Sequence, residues 1–211
     1  MGKAPKKRAK SRAKFASVKT KKTPTPIDLT QDIARIDNRP IALVGLMGVG
    51  KTTVGRRLSK LLDRPFYDSD DEIEAASGRS IVGYFRDHGE AAFRDGERRV
   101  IERILDETPL ILSTGGGAFI QDDTREILLG GAITVFLKGD FKTIFARVKK
   151  NTTRPLLQVE NPRERFRELM DARYPIYAQA HITVDIVKGP HIRTVEKVIK
   201  AIADYKPSER S

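Results

Sequence analysis

The nonapeptide GLMGVGKTT, residues 45–53, satisfies the pattern G-x-x-x-x-G-K-[ST] through Gly45, Gly50, Lys51 and Thr52. Few short motifs restrict a fold as much, because this one works only between a strand and a helix. Both flanks are present: an apolar β-like run, IALVGL (41–46), and a helical pattern, KTTVGRRLSKLL (51–62). In such a loop the glycines let backbone N–H groups turn inward around phosphate oxygens, and the helix start adds the positive end of its dipole. Gly48, Val49, Gly50, Lys51, Thr52 and Thr53 would supply that cradle. The Lys51 side chain would neutralise charge on the β- and γ-phosphates, and the Thr52 hydroxyl would ligate Mg2+. An ordinary glycine-rich turn is the alternative, and the two flanks argue against it. The expected ligand is a nucleoside triphosphate.

The rest of the chain alternates as this loop demands. Short β-rich runs lie at 41–46, 65–70 (PFYDSD), 110–114 (LILST), 132–138 (AITVFLK) and 182–187 (ITVDIV). Longer helical patterns separate them at 51–62, 90–107, 122–130, 140–150 and 162–180, with a last one at 194–205. Strands alternating with helices imply parallel pairing, helices on both faces and ligand sites at the carboxyl ends of strands. The expected class is α/β. IDLTQDIARID (27–37) reads as a short helix leading to Pro40, where the compact domain should begin. SIVGYFRDHG (80–89) and NTTRPLLQVENP (151–162) are less regular, and read as mobile or substrate-covering segments. The division that follows is an extension over 1–38, a compact domain over 39–206 and a short tail over 207–211.

A chain of 211 residues suits one domain with appendages. No uninterrupted apolar run approaches the ~20 residues that a membrane helix needs. Cysteine is absent, so disulfides and thiolate metal sites are excluded, and three scattered histidines (His88, His181, His191) argue against structural zinc. The net charge of +12 is concentrated at one end. Residues 1–26 hold ten Lys/Arg and no acid, leaving 30 basic and 28 acidic residues, or +2, in the remainder. A one-signed block with few apolar residues reads as disordered. It is either a solvated extension or a weak, salt-sensitive attractor of nucleic acid or another polyanion. Its lysine-rich, serine-poor make-up argues against a transit peptide, and Lys6 stands where a myristoylation signal needs Ser or Thr. The expected location is the cytoplasm and the expected assembly a monomer.

Beyond the phosphate loop, PFYDSD ends in Asp68 and Asp70, two residues apart. In an extended strand both project from one face while Ser69 points away. One carboxylate could hold Mg2+ through water, and the other could accept a hydrogen bond from an acceptor hydroxyl. Alternatively the aspartates cap a helix beginning at DEIEAA, for which Asp71 alone would serve. Gly115, Gly116 and Gly117 follow LILST and precede the apolar Phe119 and Ile120, unlike a solvated linker. Bare backbone there could approach a ligand closely and offer it N–H groups. Arg94, with Glu97 on the same helical face, and Arg173, in MDARYPIY, are equally well surface helix arginines or bidentate clamps on a carboxylate. No extra domain for a protein or RNA substrate is evident, so the acceptor should be small.

The phosphate loop, DSD (68–70), FRDGE (93–97), STGGGAF (113–119), NTTRPLL (151–157) and RYPIY (173–177), in this order, resemble the shikimate kinases from about Ile41 to Tyr205. The resemblance implies a P-loop fold of the nucleoside monophosphate kinase type, three-layer α/β/α with a five-stranded parallel sheet. It also implies phosphorylation of the 3-hydroxyl of shikimate by ATP with Mg2+, on the route to chorismate and aromatic amino acids. Carried over position by position, Asp70 would hold the shikimate hydroxyls and assist the attacking one. Arg94 and Arg173 would bind the carboxylate, Glu97 would orient Arg94, and Gly115, Gly116 and Gly117 would line the ring. Thr52 and Asp68 would attend Mg2+, Arg154 would close over the phosphates as a lid arginine, and Arg147 would stack on adenine. Two rivals remain: a kinase for another small acceptor, such as gluconate or a nucleoside monophosphate, and a nucleic-acid-associated protein working through its basic tail. The near-neutral body and the lone aromatic of the tail, Phe15, weigh against the second.

Overall fold

Ile41–Val44 forms strand β1, and all four residues are buried. A run with no polar alternation suits only a strand covered on both faces, the condition of a central strand in a parallel sheet. The computed structural model describes residues 28–149 and 159–206. Within them β1 is joined by β2 (Phe66–Asp68), β3 (Ile111–Ser113), β4 (Ile133–Lys138) and β5 (Ile182–Asp185). The sheet is five-stranded and parallel, in the order β2-β3-β1-β4-β5. Ile41 of β1 stands opposite Ile111 on one side and Ile133 on the other. At the edge, β5 alternates, with Ile182 and Val184 buried while Thr183 and Asp185 face out, the pattern of a strand covered on one face only.

The helices are α1 (Thr30–Ala34), α2 (Lys51–Leu62), α3 (Ser69–Ser77), α4 (Ile81–Leu105), α5 (Asp122–Gly131), α6 (Phe141–Val148), α7 (Pro162–Tyr177) and α8 (Ile192–Asp204), with a 3-10 turn at Ala118–Ile120. One helical layer pairs α2 with α8, and α1 leans on α8; the other includes α4 packed on α5. The result is the three-layer α/β/α arrangement around one apolar core. The short helix expected within 27–37 is α1, and Leu29, Ile33 and Ile36 around it pack against that core. Among the described residues no helix is long and apolar enough to cross a membrane.

Two local expectations are corrected. The strand expected over 65–70 stops at Asp68, because the Asp68 carboxylate accepts the Asp70 N–H (3.3 Å) and so caps α3; a cap that satisfies a free helix donor competes with strand extension. The stretch 80–89 is not irregular. It forms the first turns of α4, capped by Ser80 Oγ accepting from the Gly83 N–H at 3.1 Å. Helical geometry is interrupted at Gly89 (φ 78°, ψ 175°) and then resumes. Most of the second irregular stretch, 151–158, lies outside the described residues.

Candidate active site

The phosphate-binding loop connects the carboxyl end of β1 to α2. Gly45, Gly48 and Gly50 all have positive φ, at 135°, 82° and 99°, a region closed to most side chains. Gly50 serves as the N-cap of α2 in left-handed conformation, so the first helical N–H groups open upward from the loop. Val49, whose side chain is buried, holds the loop from below through its N–H to the Leu46 carbonyl (3.5 Å). The ammonium of Lys51 donates to the Gly45 and Leu46 carbonyls at 2.7 and 3.1 Å. Above the loop is a cavity of about 320 Å3, lined by Gly48, Gly50, Lys51, Thr52, Thr53, Asp68, Asp70, Gly116 and Arg147 among others.

The two aspartates enter this cavity by different routes from the one expected. Asp68 ends β2 and Asp70 lies in the first turn of α3, so a helix start rather than strand alternation brings them together. Asp68 also accepts the Thr52 hydroxyl at 2.8 Å. Asp70 opens onto the cavity but is enclosed by protein on its other sides. That loss of water, then the nearby negative charge of Asp68, pushes its carboxyl above the usual range against the pull of Lys51. Ser69 does not point to empty space: it is fully buried, and its Oγ accepts the Gly115 N–H at 2.8 Å.

The glycine turn sits beside the cavity at the end of β3. A Cβ on Gly115 would stand 2.6 Å from Asp70 Oδ1 and 2.9 Å from Glu97 Oε1, and one on Gly117 would stand 2.7 Å from both Arg94 terminal nitrogens. Functional groups from α3 and α4 thus press on space that only glycine leaves free. The expectation that these glycines offer N–H groups to a ligand is corrected for Gly115, whose N–H is committed to Ser69. Arg94 is held by the buried Glu97 at 2.7 Å and by Glu90 at 3.3 Å, and lies against the rings of Phe85 and Phe93. Burial pushes the Glu97 carboxyl up, and the charge of Arg94 opposes it. Arg173 of α7 donates to the Gly116 carbonyl at 3.0 Å.

The structure therefore gathers Lys51, Thr52, Asp68 and Asp70 at one cavity, with Arg94 and Arg173 both at the adjoining glycine turn. Arg147 lies over the loop, donating to the Gly48 and Val49 carbonyls at 3.5 and 3.3 Å. Arg154 lies outside the described residues. The sequence reading missed His191, the N-cap of α8, which lines the same cavity with its ring against Gly50. Burial and the charges of Arg147 and Arg57 push its pKa down. No spacing rule marks a lone histidine that reaches Gly50 from 141 positions away.

A parallel sheet with this loop after its central strand, and aspartates meeting it from the neighbouring β2–α3 junction, defines a P-loop kinase of the nucleoside monophosphate kinase type. The family description "Shikimate kinase" matches residues 47–203. A shikimate kinase of Caulobacter vibrioides is 48% identical over 174 residues, covering 82% of this chain and 87% of the relative. One from Bartonella henselae is 44% identical over 181 residues, covering 86% of each. Among solved structures, shikimate kinase from Acinetobacter baumannii in complex with shikimate has a TM-score of 0.76 at 39% identity, covering 84% of this chain and 99% of that one. The chain belongs to the shikimate kinase family.

Proposed function

We propose that this protein transfers the γ-phosphoryl group of ATP to the 3-hydroxyl of shikimate. The observation that carries the reading is the pair of guanidiniums, Arg94 and Arg173, converging from two helices on a glycine turn that borders the phosphate cavity. That arrangement suits a small carboxylated ring held with one hydroxyl toward the phosphates, and the shikimate complex of the Acinetobacter relative supports it.

The reaction asks for positioning and charge compensation more than covalent chemistry. Asp70 accepts a hydrogen bond from the attacking hydroxyl and takes its proton as the new O–P bond forms and the β–γ bridging bond breaks. Its raised pKa makes it a better match for that proton than an ordinary carboxylate. Lys51 compensates charge on the γ-phosphoryl oxygens, and Arg94 and Arg173 hold the carboxylate, with Glu97 fixing the first of them. Arg147 lies where it can flank the base, beyond the loop. The Thr52 hydroxyl and Asp68 carboxylate, 2.8 Å apart at the cavity wall, are hard oxygen donors of the kind Mg2+ takes when phosphate oxygens and water complete its shell. Among the described residues no group of three or more His/Cys/Asp/Glu is placed to hold a metal ion. When bound, Mg2+ supplies charge neutralisation on the β- and γ-phosphates.

A coupled ADP-release assay across shikimate, gluconate and nucleoside monophosphates tests the reading. Shikimate should accelerate release and the others should not, and Lys51→Met should abolish transfer while the fold persists. No acceleration by shikimate, or near-normal turnover of the lysine variant, refutes it.

A further inference from the structure

Three successive glycines make a wall only if something external holds them, because each peptide plane between glycines reorients at little steric cost. Each of the three is tied. The Gly115 N–H is held by Ser69 (2.8 Å), and the Gly117 carbonyl accepts the Ile120 N–H (3.1 Å). The Gly116 carbonyl is held differently. It accepts two side-chain donors from one helix face: the phenol of Tyr177 at 2.5 Å and the guanidinium of Arg173 at 3.0 Å. The two residues are four apart on α7, so they stack on the same side.

Tyr177 is suited to be the fixed member of this pair. Its side chain is fully buried, with its ring stacked 5.2 Å from Phe136 and 6.4 Å from Phe119. Its pKa is pushed up to about 12 by burial, against the opposing charge of Arg173, so the phenol stays a donor across the working range of pH. Arg173, by contrast, is only partly buried and carries a long, rotatable chain. Nη1 rests on the Gly116 oxygen, and a guanidinium has further N–H groups with which to meet a carboxylate.

We propose that Tyr177 is the positioning residue for Arg173. Its phenol locks the Gly116 carbonyl, and the locked carbonyl sets the angle at which the guanidinium meets the acceptor's carboxylate. Tyr177 is fully buried and acts through Arg173. The inference rests on the assignment of shikimate as acceptor.

The test is Tyr177→Phe in the full chain, which removes one oxygen and keeps the stacked ring. Its shikimate KM should rise about tenfold, while kcat and the ATP KM stay within about twofold. Introduced on top of Arg173→Ala, the same change should add nothing to the shikimate KM, since the residue it positions is gone. An unchanged shikimate KM in the single variant overturns the proposal. So does an equal further rise in the Arg173→Ala background, or an ATP KM that climbs in step, either of which marks a general structural role. A wild-type protein without shikimate-dependent ADP release defeats the acceptor assignment and this inference together. An active wild type with an indifferent Tyr177→Phe defeats the inference alone.

Discussion

Two carboxylates, Asp70 and Glu97, crowd the α-carbon of Gly115, and a Cβ there would touch both. Asp70 carries its charge at a cost, since loss of water and the charge of Asp68 raise its pKa in the folded state. A raised carboxyl pKa stabilises the fold below the unfolded value, and that contribution is lost as pH rises through the folded one. Wherever Asp70 is ionised it therefore costs stability, which fits the role of base proposed for it. Asp70→Asn should raise the melting temperature near pH 7 while lowering kcat by about a thousandfold. Calorimetry beside the ADP-release assay checks both, and a variant that melts lower contradicts the argument. In the wild type, kcat/KM should fall on the acid side at a higher pH than an ordinary aspartate would give, since the base must be ionised. The identities of these residues were legible in the sequence; their geometry was not. Strand alternation was the wrong periodicity for Asp68 and Asp70, because a capping bond of local origin ends β2 at Asp68. Nor could spacing reveal that Ser69, set aside as pointing elsewhere, holds Gly115.

At the scale of elements, the strands and most helices could be read from runs and periods, and α2 was read to the residue. α4 was half missed, and the reason is Gly89. Its φ of 78° with ψ of 175° breaks the helical period, so the stretch before it lost its pattern while remaining helical. The break lets the two halves of α4 close around one side chain. Phe85 from the first half stacks 4.3 Å from Phe93 of the second, and both rings lie against Arg94. That backbone region is almost closed to residues with a Cβ, at a cost of about 1–3 kcal/mol. Open space around Gly89 means that Gly89→Ala should act through backbone strain and not collision. The variant should unfold at lower urea concentration and show a raised shikimate KM with little change for ATP. An equal rise in both constants would assign the kink no special part in placing Arg94.

Along the whole chain, the excess positive charge and the site residues are separate in sequence. His191, at the amino end of α8, lines the cavity, whereas Asp204, the last residue of α8, pairs with Arg35 beside α1 at 3.3 Å. Thirteen helical residues separate these ends, about 20 Å. The described chain thus begins beside α1, on the far side of α8 from the phosphate loop, and the ten cations of residues 1–26 precede it in the sequence. Deleting them should leave kcat and both KM values unchanged while cutting the net charge from +12 to +2. The shortened protein should elute from heparin at lower salt. Altered kinetics would tie the extension to the active site. This division was visible in the composition, but the distance was not, because it depends on which end of α8 receives α1.

The Gly116 backbone faces two ways: a Cβ there would touch the Met47 nitrogen of the phosphate loop at 3.5 Å, while its carbonyl faces Arg173. A single peptide unit therefore borders the phosphate loop on one side and the Arg173 guanidinium on the other. Whatever occupies either side leans on the same plane, so nucleotide and acceptor cannot bind in ignorance of each other. Whatever factor one imposes on the other's affinity must be returned in full.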